Sequence, residues 1–435
     1  MMARIDRFLN GFAYQLLIST ATVVVWAMGW ETYGLPIVLF LMFFLFVLRK
    51  DTMATIPLFM NALFMISHTG WTFSDIPFYI YLTPVLIILG MTIHVIRYRV
   101  NLLRGAMLPG VLVMLAALGL STLNAGDTLS PMYGFYALVG FLYALVYLFY
   151  VNTIQGDHVK YLIRLMFLLG IVVSVEVLLF YLGVDDVVFA IENKLINLGW
   201  GISNYIATYL ILFIPTTFYY AKTTKLPLLW IVVGILEGIA LLFTASRGGI
   251  IAYAGTFGLC LLYLMIQRKW WHTALHFLAA FGVIAFAVWI GRDFFITLYD
   301  RLAALLLDDS GRIPIWLDAI DKFKAHPLFG NGLFARLDEQ GDYRMFHNTI
   351  LHTAATFGLV GLVALGMQVA TQFKWILKRK TPEAIFLAIA LLGAHMHGMV
   401  DNIYYMPQFM IVIVVILAVC ENAYREIPSQ TARMT

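Results

Sequence analysis

Apolar residues run along this chain in long continuous blocks rather than in alternation. A block of about 20 apolar residues spans a bilayer as a helix, whereas alternation at every second residue would indicate strands. Blocks of that kind fall at about residues 12–29, 33–48, 53–67, 77–96, 106–123, 133–152, 161–183, 202–221, 227–244, 249–266, 274–291, 347–368, 383–399 and 404–421. The second and third are short for a full crossing, so they would tilt or form a re-entrant hairpin. The pattern predicts an all-α polytopic membrane protein with about 12–14 transmembrane helices. One long polar interval, Arg292 to Phe346, interrupts it. The expected organisation is N-terminal transmembrane helices over 1–200, helices carrying a Ser-Arg-Gly-Gly turn over 201–291, an extracytoplasmic loop over 292–346, and C-terminal helices with a cytoplasmic tail over 347–435.

The polar interval has helical periodicity of its own. Phe295, Leu298, Leu302, Leu305 and Leu306 recur at helical spacing, and Asp308-Asp309-Ser310-Gly311 breaks that run. In a second run Ile313, Trp316, Leu317, Ile320 and Phe323 form one apolar face. Pro314 suits its first turn. His326-Pro327 would stop it, and Gly330-Asn331-Gly332 would make a tight turn. These are two short amphipathic helices, packed on the bundle or lying at the interface.

Composition agrees with a membrane protein. Of 435 residues 62% are hydrophobic and 12% charged, roughly half the charge of a soluble domain. Backbone polar groups in lipid must be satisfied internally, which leaves helices or a closed barrel. The two cysteines, Cys260 and Cys420, lie in different apolar blocks and suggest neither a disulfide framework nor a metal site. The N-terminus has a basic start but no small-residue cleavage site, so it reads as a retained first helix.

Charge sets the expected orientation. With the N-terminus in the cytoplasm, 19 of the 28 basic residues fall on the inner side, on termini or short loops (Arg4, Arg7, Arg49, Lys50, Arg97, Arg99, Arg104, Lys160, Arg164, Lys222, Lys225, Arg268, Lys269, Lys374, Lys378, Arg379, Lys380, Arg425, Arg433). The outer side keeps Lys194, Arg247 and the seven of the long loop. Positive charge in short loops marks the cytoplasmic side, and a long loop is largely exempt. Both termini are therefore expected in the cytoplasm and the polar interval outside.

Several polar residues then become candidates. Glu176 and Glu237 lie inside apolar blocks, where a carboxyl is either functional or protonated and hydrogen-bonded between helices. Asn61, His94 and Asn204 are weaker versions of that case. At Ser246-Arg247-Gly248-Gly249 two glycines would let backbone approach a ligand. An arginine there would either bind an anion such as phosphate, whose oxygens match its fork, or snorkel to the surface. Arg312 sits at a helix start, where the dipole disfavours a cation. A shared anionic ligand or an ion pair with Asp308 or Asp309 would resolve that. His347 ends the polar interval and would face outward at the membrane surface, as a general base or as a structural histidine. Nearby His326, His352, His395 and His397 raise metal binding. However, His395 and His397 point about 200° apart on a helix. The only pair at zinc-helix spacing, His272 and His276, lies at the opposite end with no acidic neighbour. No metal and no cofactor is expected.

Three stretches in this order resemble the O-antigen ligase/polymerase superfamily of bacterial envelope glycan enzymes. They are Thr244–Gly249; Gly311–Trp316 followed by Pro327-Leu328-Phe329-Gly330-Asn331-Gly332; and His347-Asn348 followed after nine residues by Gly358-Leu359-Val360-Gly361. The signature covers about residues 200–365. The resemblance implies an inverting, metal-independent glycosyltransferase whose donor is a glycan on undecaprenyl pyrophosphate. It implies that Arg247 and Arg312 bind the pyrophosphate and that His347 deprotonates the acceptor hydroxyl, with Gly248, Trp316 and Asn348 as substrate contacts. The His347–Gly358 spacing resembles the ligase pattern, in which the acceptor is lipid A–core or another envelope acceptor. A surface-polysaccharide polymerase is the alternative within the superfamily. The expected partners are donor, acceptor and lipid bilayer, and no nucleic acid.

Other classes fit less well. A polyprenol-glycan flippase or secondary transporter would carry broken helices and midplane charges in both halves, whereas the unusual residues here lie at one surface. An oligosaccharyltransferase-like enzyme would want an acidic pair in its first outer loop, which has Glu31 alone; Asp185-Asp186 come much later.

Overall fold

The computed structural model describes residues 2–68, 77–267, 270–290, 292, 296, 311–337 and 343–425. Within them every expected apolar block is a helix. In chain order these are α1 Met2–Leu9, α2 Phe12–Ala27, α3 Glu31–Leu48, α4 Ile56–Phe64, α5 Phe78–Tyr98, α6 Leu108–Ser121, α7 Pro131–Thr153, α8 Val159–Leu182, α9 Val187–Glu192, α10 Ser203–Thr223, α11 Pro227–Phe243, α12 Arg247–Gln267, α13 Trp270–Ile290, α14 Arg312–Ala325, α15 Thr349–Leu377, α16 Pro382–Gly398 and α17 Pro407–Arg425. No strand is present among the described residues; only isolated bridges join Asn197 to Ile202 and Leu337 to Tyr343. Seven helices (α3, α5, α7, α8, α12, α15 and α17) are long and apolar enough to cross a membrane, and five shorter apolar helices accompany them. The protein is an all-α polytopic membrane protein. The first amphipathic run of the polar interval, Phe295 to Leu306, lies outside the described residues apart from Ile296.

The helices form two compact units, each assembled from separate stretches of sequence. One comprises residues 1–100, 158–308 and 381–394; the other comprises 101–157, 309–380 and 395–435. A helix that is apolar on every side must be buried on every side. In the first unit that helix is α10, buried continuously from Ile206 to Tyr219. In the second it is α17, buried from Val412 to Ala423.

The intramembrane carboxyls of the first unit have partners. The Trp200 indole donates to Glu176 at 2.7 Å, and the Thr217 hydroxyl donates to Glu237 at 2.7 Å. Gly170 makes room for Glu237, since a Cβ there would come within 2.7 Å of its Oε1. The weaker candidates are tied in the same way. His94 Nδ1 lies 2.8 Å from the Phe46 carbonyl, and the Thr22 hydroxyl donates to Asn61 at 3.0 Å.

The second amphipathic run of the polar interval is α14, ended at His326 as expected. Its packing differs from the sequence reading. The face that packs is Ile315 and Ala319, against Phe346, Ala355 and Ala335, whereas Ile313 and Leu317 are 58% and 56% exposed. The small Ala319 lets α14 approach α15 closely. Trp316, Ile320 and Phe323 are half-buried, and Ile313 and Leu317 are left on the outer face, as suits a helix at the interface.

Candidate functional site

The site is built first by a break in α15. Gly358 has φ 63° and ψ −156°, a conformation essentially restricted to glycine. An unbroken helix would bond Leu359 N to Ala355 O and Val360 N to Thr356 O. Instead Leu359 N donates to Pro327 O at 2.9 Å and Val360 N to Leu328 O at 3.3 Å. The two freed carbonyls accept from Asn331 N at 2.9 Å and Gly332 N at 3.0 Å. Two helical bonds are thus exchanged for four bonds to the Pro327–Gly332 turn. The Asn331 side chain adds bonds to Ala355 O and Lys322 O. The contact is close enough to require glycine on both sides. A Cβ at Gly330 would stand 2.3 Å from Thr356 O, and one at Gly358 would stand 2.5 Å from Leu328 O. This interlock fixes α14 on α15, and each helix presents its N-terminal residues at the site.

At the start of α15, Asn348 is the N-cap. Its Oδ1 accepts from Leu351 N at 2.9 Å, satisfying one of the orphan donors of the first turn. Its Nδ2 donates to Met399 O at 2.7 Å, and its backbone N donates to Asn402 Oδ1 at 2.8 Å. Thr349 Oγ1 donates to Asp401 O at 3.1 Å. These bonds hold the α15 N-terminus against the short Met399–Asn402 turn that follows α16. His347, just before the cap, adopts φ 50°. Left-handed backbone at a non-glycine residue persists only where the surroundings impose it. Here the imposing contacts are the Asn348 cap and the Trp316 indole, which donates to His347 O at 3.3 Å.

The result is a histidine–carboxylate pair. His347 Nδ1 lies 3.4 Å from Asp401 Oδ1, with the imidazole 41% exposed and the carboxylate 8%. Asp401 Oδ1 also accepts from Asn402 N at 2.8 Å. Burial pushes the Asp401 carboxyl up. The hydrogen bond from His347, the nearby His397 and the Asn402 backbone outweigh burial and hold it below the ordinary carboxylate range. With Nδ1 turned to the carboxylate, Nε2 is the ring nitrogen left for a ligand. Arg312, the first residue of α14, lies within electrostatic reach of the buried His397, as does Asp401. The second unit therefore brings Trp316, His347 and Asn348 together beside the Met399–Asn402 turn, with Arg312 in electrostatic reach of His397. Sequence reasoning missed Asp401. Its signal was faint: Asp401-Asn402 is a polar pair wedged between two apolar blocks.

Arg247 and Gly248 belong to the first unit. Thr244 and Ala245 end the preceding helix, and Ala245 turns the chain with φ 51°. Ser246 caps α12, its Oγ accepting from Gly249 N at 3.2 Å and donating to Asn204 Oδ1 at 2.8 Å. Asn204, expected as a lone intramembrane polar residue, is thus a support of this turn. The Ser203 hydroxyl donates to Thr244 O at 2.6 Å. A Cβ on Gly249 would come within 2.7 Å of the Ala207 methyl, so glycine there lets α12 meet α10. Arg247 is the first residue of α12 and half-buried, and Gly248 is buried beside it.

Residues 229–366 match the family described as O-antigen ligase. The match includes every sequence-expected site residue and stops short of Asp401. No curated protein matches the chain.

Proposed function

We propose that this chain, whose residues 229–366 match the O-antigen ligase family, moves a glycan from undecaprenyl pyrophosphate onto an acceptor hydroxyl at the outer face of the cytoplasmic membrane. The reading is ligase-type, with lipid A–core or another envelope glycan as acceptor. The observation that carries it is the exposed His347 imidazole, aimed by the buried Asp401 carboxylate; Arg312 lies within electrostatic reach of His397, which interacts with the same carboxylate.

In the proposed step His347 Nε2 takes the acceptor proton as the acceptor oxygen attacks the anomeric carbon. The bond from that carbon to the pyrophosphate oxygen breaks, the configuration inverts, and the electron pair leaves on the pyrophosphate. Asp401 holds the tautomer and stabilises the imidazolium that forms. Arg312 takes the departing charge, as preorganised cations do in transition states. Arg247, with the backbone of Gly248 at the α12 N-terminus, is assigned to the same pyrophosphate on the strength of the family signature. Trp316 and Asn348, expected from the resemblance to touch the substrate, are assigned here to holding His347.

The test is transfer from a synthetic undecaprenyl-pyrophosphate glycan by purified protein. His347→Ala should bind donor normally and transfer it roughly 10²–10⁴-fold more slowly, the usual worth of a positioned base. Arg312→Ala should lose about 2–4 kcal/mol of transition-state stabilisation. Arg312→Lys should recover only part of it, since lysine lacks the bidentate fork. Transfer at the wild-type rate by His347→Ala would end this reading.

A further inference from the structure

The reading just given leaves the acceptor's sugars unplaced, and the inference drawn here rests on it. Four aromatic rings meet in the unit that carries His347. The Phe334 ring centroid lies 5.4 Å from that of Tyr133, 5.6 Å from Tyr136 and 5.2 Å from Tyr343, and the last two lie 5.9 Å apart. Tyr133 and Tyr136 are three residues apart in the first two turns of α7, so they share a face.

The base of the cluster is fixed. The Tyr133 hydroxyl accepts from Leu333 N at 3.0 Å, and the Tyr343 hydroxyl lies 3.1 Å from His352 Nε2. Phe334 and Tyr133 are buried, Tyr343 is partly open and Tyr136 is 44% exposed. The Tyr136 hydroxyl bonds to no described residue. Here two buried rings back two open ones, and both open rings carry a polar handle.

We propose that Tyr136 and Tyr343, backed by Phe334 and Tyr133, form a stacking subsite for a pyranose ring of the acceptor glycan. The C–H face of a pyranose suits the negative face of an aromatic ring, while its hydroxyls reach water, the Tyr136 hydroxyl and the exposed Arg344. The placement fits the chemistry. Tyr343 precedes His347 by four residues, which extended backbone covers in at most roughly 13 Å. A hydroxyl at His347 and a ring on this shelf can therefore belong to one short oligosaccharide. The competing role is an aromatic anchor at the membrane–water interface.

Two measurements decide between them. Saturation-transfer NMR would use the full-length protein in nanodiscs without donor. The probes are the oligosaccharide freed from lipid A by mild acid and the delipidated repeat-unit oligosaccharide. Wild type, His347→Ala and Tyr136→Trp should all saturate sugar ring protons of at least one probe, and Tyr136→Ala and Tyr136→Leu should not. In transfer assays Tyr136→Ala should raise the acceptor KM about tenfold, the equivalent of about 1.4 kcal/mol, with kcat and donor binding unchanged. Tyr136→Leu keeps bulk without a ring face and should do the same. An unchanged acceptor KM in both Tyr136 variants, or no saturation of either probe by wild type, overturns the subsite while leaving the transfer reading intact. Ring-dependent sugar binding by a protein that never transfers glycan would do the reverse.

Discussion

His347 is held by its neighbours in a backbone conformation that it would not choose, and its ring is held by a carboxylate that the sequence alone did not single out. Both facts bear on what Asp401 should do. As the proposed base, His347 depends on Asp401 to hold its tautomer. Asp401→Asn should therefore slow transfer by about tenfold or more, since the tautomer is no longer enforced. Asp401 carries a second, independent signature in stability. Its carboxyl is held below its ordinary value in the folded protein. A depressed carboxylate contributes stability that is present above its unfolded value of about 3.9 and is lost as pH falls through the lower folded value. The stability gap between wild type and Asp401→Asn should therefore be open at neutral pH and close below about pH 4. Thermal melts of both proteins across that range measure it, and a gap that widened in acid would contradict the assignment. At this scale the sequence was legible where a residue broke local expectation. Arg312 stood at the wrong end of a helix dipole, and Arg247 stood beside two glycines. Asp401 broke no such expectation, because an acid in a short turn between apolar blocks is ordinary until its neighbour in space is known.

Gly358 carries the corresponding argument for an element. The sequence reads residues 347–368 as one apolar helix, and by periodicity it is one. The break appears only because the Pro327–Gly332 turn supplies two carbonyls and two N–H groups that replace the lost helical bonds. No local pattern announces such an exchange, since its two halves lie about thirty residues apart. The glycines that make it sterically possible were visible only as motif letters. The same applies to α14: periodicity found the helix, but Ala319 rather than Ile313 or Leu317 turned out to face α15. The exchange makes a specific expectation. Gly358→Ala forces a Cβ into a glycine-only conformation, which costs about 1–3 kcal/mol, and places it against Leu328 O. Its melting temperature should drop. Transfer should fall further than the melting curve explains, because α14 and α15 lose the register in which Trp316 holds His347. Gly366→Ala on the same helix is the control. A Cβ there meets nothing within 4 Å, so the change should be neutral or raise stability by up to about 1 kcal/mol. Equal effects from the two substitutions would show that the Gly358 break has no special role.

The whole molecule raises the question of sidedness. Apolar blocks were legible as helices because lipid leaves the backbone no cheaper alternative. The partition into two interleaved units was not, because each unit draws helices from three stretches of sequence and nothing local marks which will meet. Orientation rests on charge alone. With the N-terminus inside, 19 of the 28 basic residues lie on the cytoplasmic side, a bias that short loops obey because moving them across the membrane with positive charge is disfavoured. The proposed chemistry needs that orientation, since it places His347, Arg312 and the Ser246–Gly249 turn at the outer face. Both native cysteines are buried, so a background with Cys260 and Cys420 replaced by alanine permits single-cysteine labelling. Asp127→Cys and His326→Cys, at exposed positions of the α6–α7 connection and the end of α14, should react with a membrane-impermeant maleimide in intact cells. Lys225→Cys, exposed between α10 and α11, should react only after permeabilisation. A uniformly reversed pattern would put the histidine–carboxylate pair in the cytoplasm. A lipid-linked donor presented outside could not reach it there, and the proposed reaction would fall with the topology.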